Sequence, residues 1–382
     1  MKTSAHWMPV YAAGLLICAV AGLSHAQPPG EVEKQPFCEL EVLFEKVRIP
    51  KIAVAPDGTA LAFAKGCALY RSSTDEGKTW SETEKLESSG GNVIVDRKSG
   101  DIMIVCPAQS FLLRSRDNGK TWKKEDIVVK PNATGYGAPG NAPVNVNCSE
   151  SGITLQSGKH KGRLLMPARI QPPKGNNAQE YWPYNYNTAI YSDDGGKTWQ
   201  TSGPVQSGTG EGALAELTDG RIYYNSRCHM AVDHRRRLAW SHDGGHMWTD
   251  WEVSKDLYEV GQPFYFKYGT KPSYGCNAGL VRMPVEATGG KDVLLFSTPD
   301  NPGGHRFKMT VWASFDRGKT WPVKRLVYEG PSAYSSLAAD KNGTIFLLFE
   351  NGEKKLYERI SLARFNLEWL TGKQDWRNLL TD

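Results

Sequence analysis

The chain has 382 residues and a formal net charge of +5, with 40% hydrophobic and 10% aromatic side chains, 39 glycines and 12 tryptophans. Its positive charges are spread along the chain, which excludes the concentrated basic face of a nucleic-acid-binding protein. The one dense run, Arg235-Arg236-Arg237, reads as a solvated turn. Abundant glycine and tryptophan without a long helical period excludes a helical bundle and fits many short strands joined by tight turns.

In chain order, Lys2 comes first, followed by an apolar run over residues 10–22 and by Ser24-His25-Ala26, a small-x-small site before Gln27. This is the pattern of a cleavable export signal, and the run is shorter than the roughly 20 residues that cross a bilayer. Residues 1–26 are therefore expected to be a signal peptide. Residues 27–382 then form one exported domain, secreted or periplasmic, with no membrane span after cleavage. Six cysteines remain: Cys38, Cys67, Cys106, Cys148, Cys228 and Cys276. The even number permits disulfides without fixing their connectivity, and the spacings match no zinc pattern. No metal and no organic cofactor is expected.

One unit recurs five times: Ser73 to Trp80, Ser115 to Trp122, Ser192 to Trp199, Ser241 to Trp248 and Ser314 to Trp321, all variants of S-x-D-x-G-x-T-W. The aspartate can accept backbone N–H groups across the turn, the glycine can take positive φ, and the tryptophan can cover the hairpin. Between these units lie short apolar runs such as "GTALAFAKG", "GRLLMPARI" and "DVLLFSTP", which read as strands. A hairpin repeated at such intervals points to a radial or solenoidal β architecture. The last such hairpin, "GPSAYSSLAADKNGTIFLLFE" over 330–350, reads as strand, Asn-Gly turn and strand. The tail "ISLARFNLEWL" holds a strand expected to close the ring with an N-terminal one.

The five units resemble the Asp boxes of the sialidase-type β-propellers. The resemblance implies an all-β, six-bladed β-propeller of four-stranded antiparallel blades over 27–382. It also implies that the box aspartates are structural, on the rim away from the site. Four further stretches resemble the family's functional segments. Arg48-Ile49-Pro50 resembles its opening arginine motif. In "GTGEGALAELTDGRIYYNSR", Glu211 matches the base and Arg227 the second arginine, although Thr209-Gly210-Glu211 stands where the family often has Glu-Asn-Glu. Arg306 in "HRFKMTV" matches the third arginine. Tyr334 in "GPSAYSSLA" matches the nucleophile, and Glu350 the carboxylate that steadies Arg48. On residues alone, Tyr334 would be a half-buried strand tyrosine and Glu211 a solvated carboxylate.

The set is chemically coherent. Three guanidiniums form a rigid multidentate grip for a planar carboxylate, which lysines do not reproduce. A substrate carrying a carboxylate on its anomeric carbon would repel a carboxylate nucleophile; a neutral tyrosine activated by a glutamate avoids this. The resemblance thus implies retaining release of terminal sialic acid, or a related acidic sugar, from glycoconjugates. Tyr334 and Glu211 would be catalytic, while Arg48, Arg227, Arg306 and Glu350 would bind substrate.

One part of the family pattern is missing. After "LAFAEGR" the family carries a loop with a further arginine and the aspartate acid/base. Here "LAFAKG" runs through residues 67–70 into Arg71, with Lys65 in place of the glutamate. Three readings stay open: an acid from another loop, with Glu150 a weak candidate; substrates that need little acid help; or a non-catalytic propeller that binds acidic glycans. Tyr181, Trp182, Tyr184 and Tyr186 could stack on sugar or pack a loop, and Tyr274 is a possible wall residue. Asn132, Asn147 and Asn342 head glycosylation sequons.

Overall fold

The computed structural model describes residues 34–88, 90–131, 146–170, 186–229, 233–260, 275–302, 304–372 and 375–380. The expected leader, Tyr181, Trp182, Tyr184, Tyr274 and Asn132 lie outside the described residues.

The described chain is all-β, arranged as five sheets. Three are four-stranded meanders in chain order, beginning at Lys51–Val54, Asn92–Val95 and Thr209–Glu216. A fourth is centred on Leu164–Ile170, Tyr186–Ser192 and Thr198–Thr201, with Val128–Lys130 added in parallel to Thr198–Thr201. The fifth has seven strands and runs from Gly279–Arg282 to Cys38–Glu45. Its 17-residue strand Val323–Ala339 changes partners part-way. Residues 323–331 pair with Phe307–Ser314, and residues 332–339 pair with Ile345–Asn351.

The sheets stack face to face in chain order, and the last meets the first. Leu61 and Phe63 pack with Val93 and Ile104; Ile94 and Met103 with Met166 and Trp199; Leu165 with Leu214 and Tyr224; Tyr223 and Trp240 with Phe296 and Trp312. Ile52 and Ala62 then meet Phe346 and Leu362, so the arrangement is propeller-like. Because both faces of each sheet are covered, Ala60–Ala64 and Ile102–Cys106 are buried at every position instead of alternating. Cys38–Glu45 pairs antiparallel with Arg359–Phe365, which covers the last sheet's edge as the tail suggested.

The boxes fold as their residues dictate. In the second, Asp117 Oδ1 accepts the Thr121 amide at 2.9 Å, Gly119 N donates to Ser115 Oγ at 2.8 Å, and Trp122 Nε1 donates to the Gly119 carbonyl at 3.0 Å. Gly119 has φ +89°, and a Cβ there would lie 2.4 Å from Leu61 of the preceding sheet. Likewise a Cβ on Gly77 would lie 2.7 Å from Phe346 of the last sheet. Each box is thus both a turn and a bearing between neighbouring sheets.

Three expectations change in detail. The Arg235-Arg236-Arg237 run is no solvated turn: it lies in strand Arg235–Ser241, and Arg236 is fully buried on Glu259, Asn225 and the Cys276 carbonyl. In the final hairpin Gly343 alone takes positive φ (+89°), while Asp340 Oδ1 accepts the amides of Asn342 and Thr344. The six cysteines that permitted disulfides are free thiols.

Candidate active site

Glu211 and Tyr334 come together through the same local device. In strand Thr209–Glu216, Thr209 faces Cys228 and Gly212 faces Ser226, so Gly210 and Glu211 together oppose Arg227. In strand Val323–Ala339, Ser332 faces Asn351 and Ser335 faces Phe349, so Ala333 and Tyr334 together oppose Glu350. Such two-against-one bulges bend a strand and re-aim a side chain. Glycine is required at the first of them, because a Cβ on Gly210 would lie 1.7 Å from the His229 ring and one on Gly212 2.3 Å from the Tyr224 ring. The Gly-rich stretch around Glu211 is a crowded strand, not a solvated loop.

The two bulges face one another. Tyr334 Oη donates to Glu211 Oε1 at 2.9 Å, and Arg227 Nη1 donates to Glu211 Oε2 at 2.8 Å and to Tyr334 Oη at 3.3 Å. Glu350 accepts Arg48 Nε at 3.1 Å and Nη2 at 3.3 Å, the Ile49 amide at 2.9 Å and the Tyr334 amide at 3.2 Å. The carboxylate that orients Arg48 therefore also holds the Tyr334 backbone. Ile49 has φ +69°, a costly conformation for a β-branched residue that its bond to Glu350 helps to hold. Arg306 donates to the Tyr357 hydroxyl at 3.1 Å and to the Gly275 carbonyl at 2.9 Å. Both Arg48 and Arg306 also lie over the Tyr334 ring, at 5.3 Å and 5.4 Å. All six residues singled out in the sequence converge.

The electrostatics divide the roles. Burial acts to raise the Glu211 pKa, but the Arg227 guanidinium, aided by Arg169 and the Tyr334 hydrogen bond, overrides it and holds the carboxyl well below its usual range. Burial and the Glu211 charge push the Tyr334 phenol up against the opposing pull of Arg227 and Arg306. The tyrosine is therefore neutral beside an ionised acceptor, as a phenol that loses its proton only during attack should be. Burial and then Arg227 hold the His229 pKa well below its ordinary value, so that ring is neutral.

Sequence reasoning missed three residues here. Tyr357 places its ring 3.8 Å from the Arg48 guanidinium while its hydroxyl accepts from Arg306, tying two arginines together. His229 Nε2 lies 3.6 Å from Glu211 Oε2, and Arg169 Nη1 lies 3.7 Å from Glu211 Oε1. The position of His229, two residues after Arg227, was the only local signal. Glu150, the weak candidate for an acid, is buried in an ion pair with Lys51 at 3.0 Å, and accepts from Asn277 and Ser336. These partners engage both Glu150 carboxylate oxygens. Lys65, Gly66 and Cys67 form a tight turn with φ +56°, +63° and +62°, and Gly66 lies against Gly90, so the short loop leaves no room for an inserted acid. Among the described residues no group of three or more His, Cys, Asp or Glu is placed to hold a metal. No helix among them is long and apolar enough to cross a membrane.

Residues 106–347 match the BNR repeat-like domain family, a stretch that includes Glu211, Arg227, Arg306 and Tyr334. The chain belongs to that family. It is similar to a sialidase of Micromonospora viridifaciens (30% identity, 94% of this chain and 59% of that protein) and to one of Bacteroides fragilis (26% identity, 73% and 53%). The chain thus spans somewhat more than half the length of these two relatives. Among solved structures, a Hadza microbial sialidase superposes with a TM-score of 0.64 at 23% identity, over 85% of this chain and 66% of that one. At that identity the family likeness is one of fold.

Proposed function

We propose that this chain is a sialidase-like retaining glycoside hydrolase that releases a terminal sialic acid, or a related acidic sugar, from glycoconjugates. The observation that carries the reading is the Tyr334–Glu211 hydrogen bond of 2.9 Å with Arg48, Arg227 and Arg306 around it. Arg48, Arg227 and Arg306 would grip the substrate carboxylate. Tyr334 Oη would attack the anomeric carbon as its proton passes to Glu211 Oε1, the glycosidic oxygen leaving with the aglycone. Water would then release the sugar from the tyrosyl link. Glu350 would orient Arg48 and fix the Tyr334 amide. We also read the strand Val323–Ala339 as serving two blades, which makes six four-stranded blades, and residues 1–26 as a signal for export.

A second reading has one observation in its favour. Among the described residues, Glu150, Glu211, Glu259 and Glu350 around the site are all engaged in ion pairs or hydrogen bonds, so none of these four stands unengaged as a general acid. A propeller that binds acidic glycans without cleaving them would have that property. General acid catalysis contributes about 10²–10⁴-fold, so its loss slows hydrolysis most for poor leaving groups.

The test is turnover of an activated aryl sialoside and of a sialyl-oligosaccharide by the full chain and by Tyr334→Phe. We expect cleavage of the aryl substrate, reduced by about 10³-fold or more in the variant with binding spared. Binding of both substrates without turnover, lost on Arg306→Ala, would establish the second reading instead.

A further inference from the structure

Glu211 is flanked by two guanidiniums on different sheets. Arg227 lies opposite it in its own sheet and takes Oε2; Arg169 reaches it from strand Leu164–Ile170 of the preceding sheet, toward Oε1. Oε1 is the oxygen that accepts from Tyr334. The two cations differ in setting: the Arg227 side chain is 3% exposed and Arg169 29%. Arg227 is locked under the base, whereas Arg169 stands on its open side. Arg169 belongs neither to the trio of arginines assigned to the substrate carboxylate nor to any role read from the sequence.

We propose that Arg169 is a positioning residue for the base, holding the Glu211 carboxylate ionised and its Oε1 turned toward Tyr334. A base that must accept a phenolic proton has to be unprotonated when substrate arrives. In a buried site a cation at 3.7 Å favours that charged form with little screening. The groups facing Glu211 are Arg227 and the neutral His229 at Oε2 and Arg169 and Tyr334 at Oε1, with the Arg306 guanidinium and the Cys276 thiol also acting on this cluster. Arg227 Nη1 donates to Oε2 and to the Tyr334 hydroxyl. Arg169 is the charged group directed at the reacting oxygen.

This role rests on the hydrolase reading, and its test separates the two. The full-length parent, Arg169→Gln and Arg169→Lys are assayed on an activated aryl sialoside from pH 8 down to the lowest pH at which each stays folded. In Arg169→Gln the acidic limb of kcat/KM is expected to move upward by about 0.5 pH unit or more, with plateau KM changed by less than about threefold. Arg169→Lys, which keeps the charge, returns the limb toward the parent. An unmoved limb with activity intact would overturn the proposal, as would a KM raised about tenfold at every pH, which marks a substrate contact. If the parent cleaves no sialoside, it is the hydrolase reading that fails. The Glu211 carboxyl, followed by carbon-13 NMR titration, then decides for Arg169: an upward shift of its midpoint in Arg169→Gln supports the role, and no shift overturns it.

Discussion

The Asp-box turns on the rim and the arginine-lined centre are both made of charged and aromatic groups, and they are built in opposite ways. In a box the bonds that shape the turn close within a few residues. Asp117 reaches Thr121, Gly119 reaches Ser115, and Trp122 reaches back to Gly119. At the centre Arg227 meets Glu211 across 16 positions, Tyr334 meets Glu211 across 123, and Arg48 meets Glu350 across 302. A box can therefore form from its own eight residues and be copied, whereas the centre exists only once the sheets have docked. Local turns hold the sheets in place; long-range contacts between them assemble the candidate site.

That contrast predicts which changes harm function and which harm stability. The largest effect is expected at the centre. Arg306→Ala removes a buried guanidinium of the carboxylate grip, and charge-assisted hydrogen bonds are worth about 1.5–3 kcal/mol each. Steady-state kinetics should show KM for a sialoside raised about 10- to 150-fold with a smaller change in kcat. An unchanged KM would detach Arg306 from the substrate.

At the rim, Gly119→Ala should act on stability alone. Its φ of +89° and the Leu61 contact at 2.4 Å both oppose a Cβ, at a cost of about 2 kcal/mol. Calorimetry should record a lower Tm, and an assay at a temperature below it should find kcat and KM as in the parent. A change in KM would mean that rim and centre are coupled.

The smallest effect concerns pH. Hydrogen bonds from Thr121 and Ser115 pull the Asp117 carboxyl down to about 2. A group whose folded pKa is depressed stabilises the fold above its unfolded value, near 3.9, and that contribution fades as pH falls toward 2. Because Asp117 is only partly buried, the gain is small. Thermal unfolding between pH 5 and 2 should show a slightly shallower loss of Tm in Asp117→Asn than in the parent. Equal slopes would mean that the box carboxylates do not contribute to acid sensitivity.

How much could be read in advance follows the same division. The boxes were legible because their physics is local: Ser, Asp, Gly and Trp at fixed offsets state the turn. The six site residues were legible only through resemblance to a family, since nothing near Tyr334 announces Glu211. Arg169 and Tyr357 were missed because their roles depend on sheet docking, as Tyr357 shows by touching two arginines from distant parts of the chain. Arg236 was misread for the related reason that a run of three arginines looks solvated until Glu259 is seen behind it. Nor does composition reveal the two bulges, because an extra residue in a strand has no chemical mark unless glycine is forced there, as at Gly210.

The pairing of Cys38–Glu45 with Arg359–Phe365 carries a consequence for how the molecule comes into being. Contacts that join distant parts of a chain slow folding, because the loop between them must be ordered before the contact is rewarded. During synthesis the strand Cys38–Glu45 leaves the ribosome long before its partner and waits unpaired. Arg48, just beyond that strand, waits with it for Glu350. The sheet that carries Tyr334 is thus among the last parts to be completed, and a nascent chain halted before residue 359 should bear every Asp box yet lack a finished site.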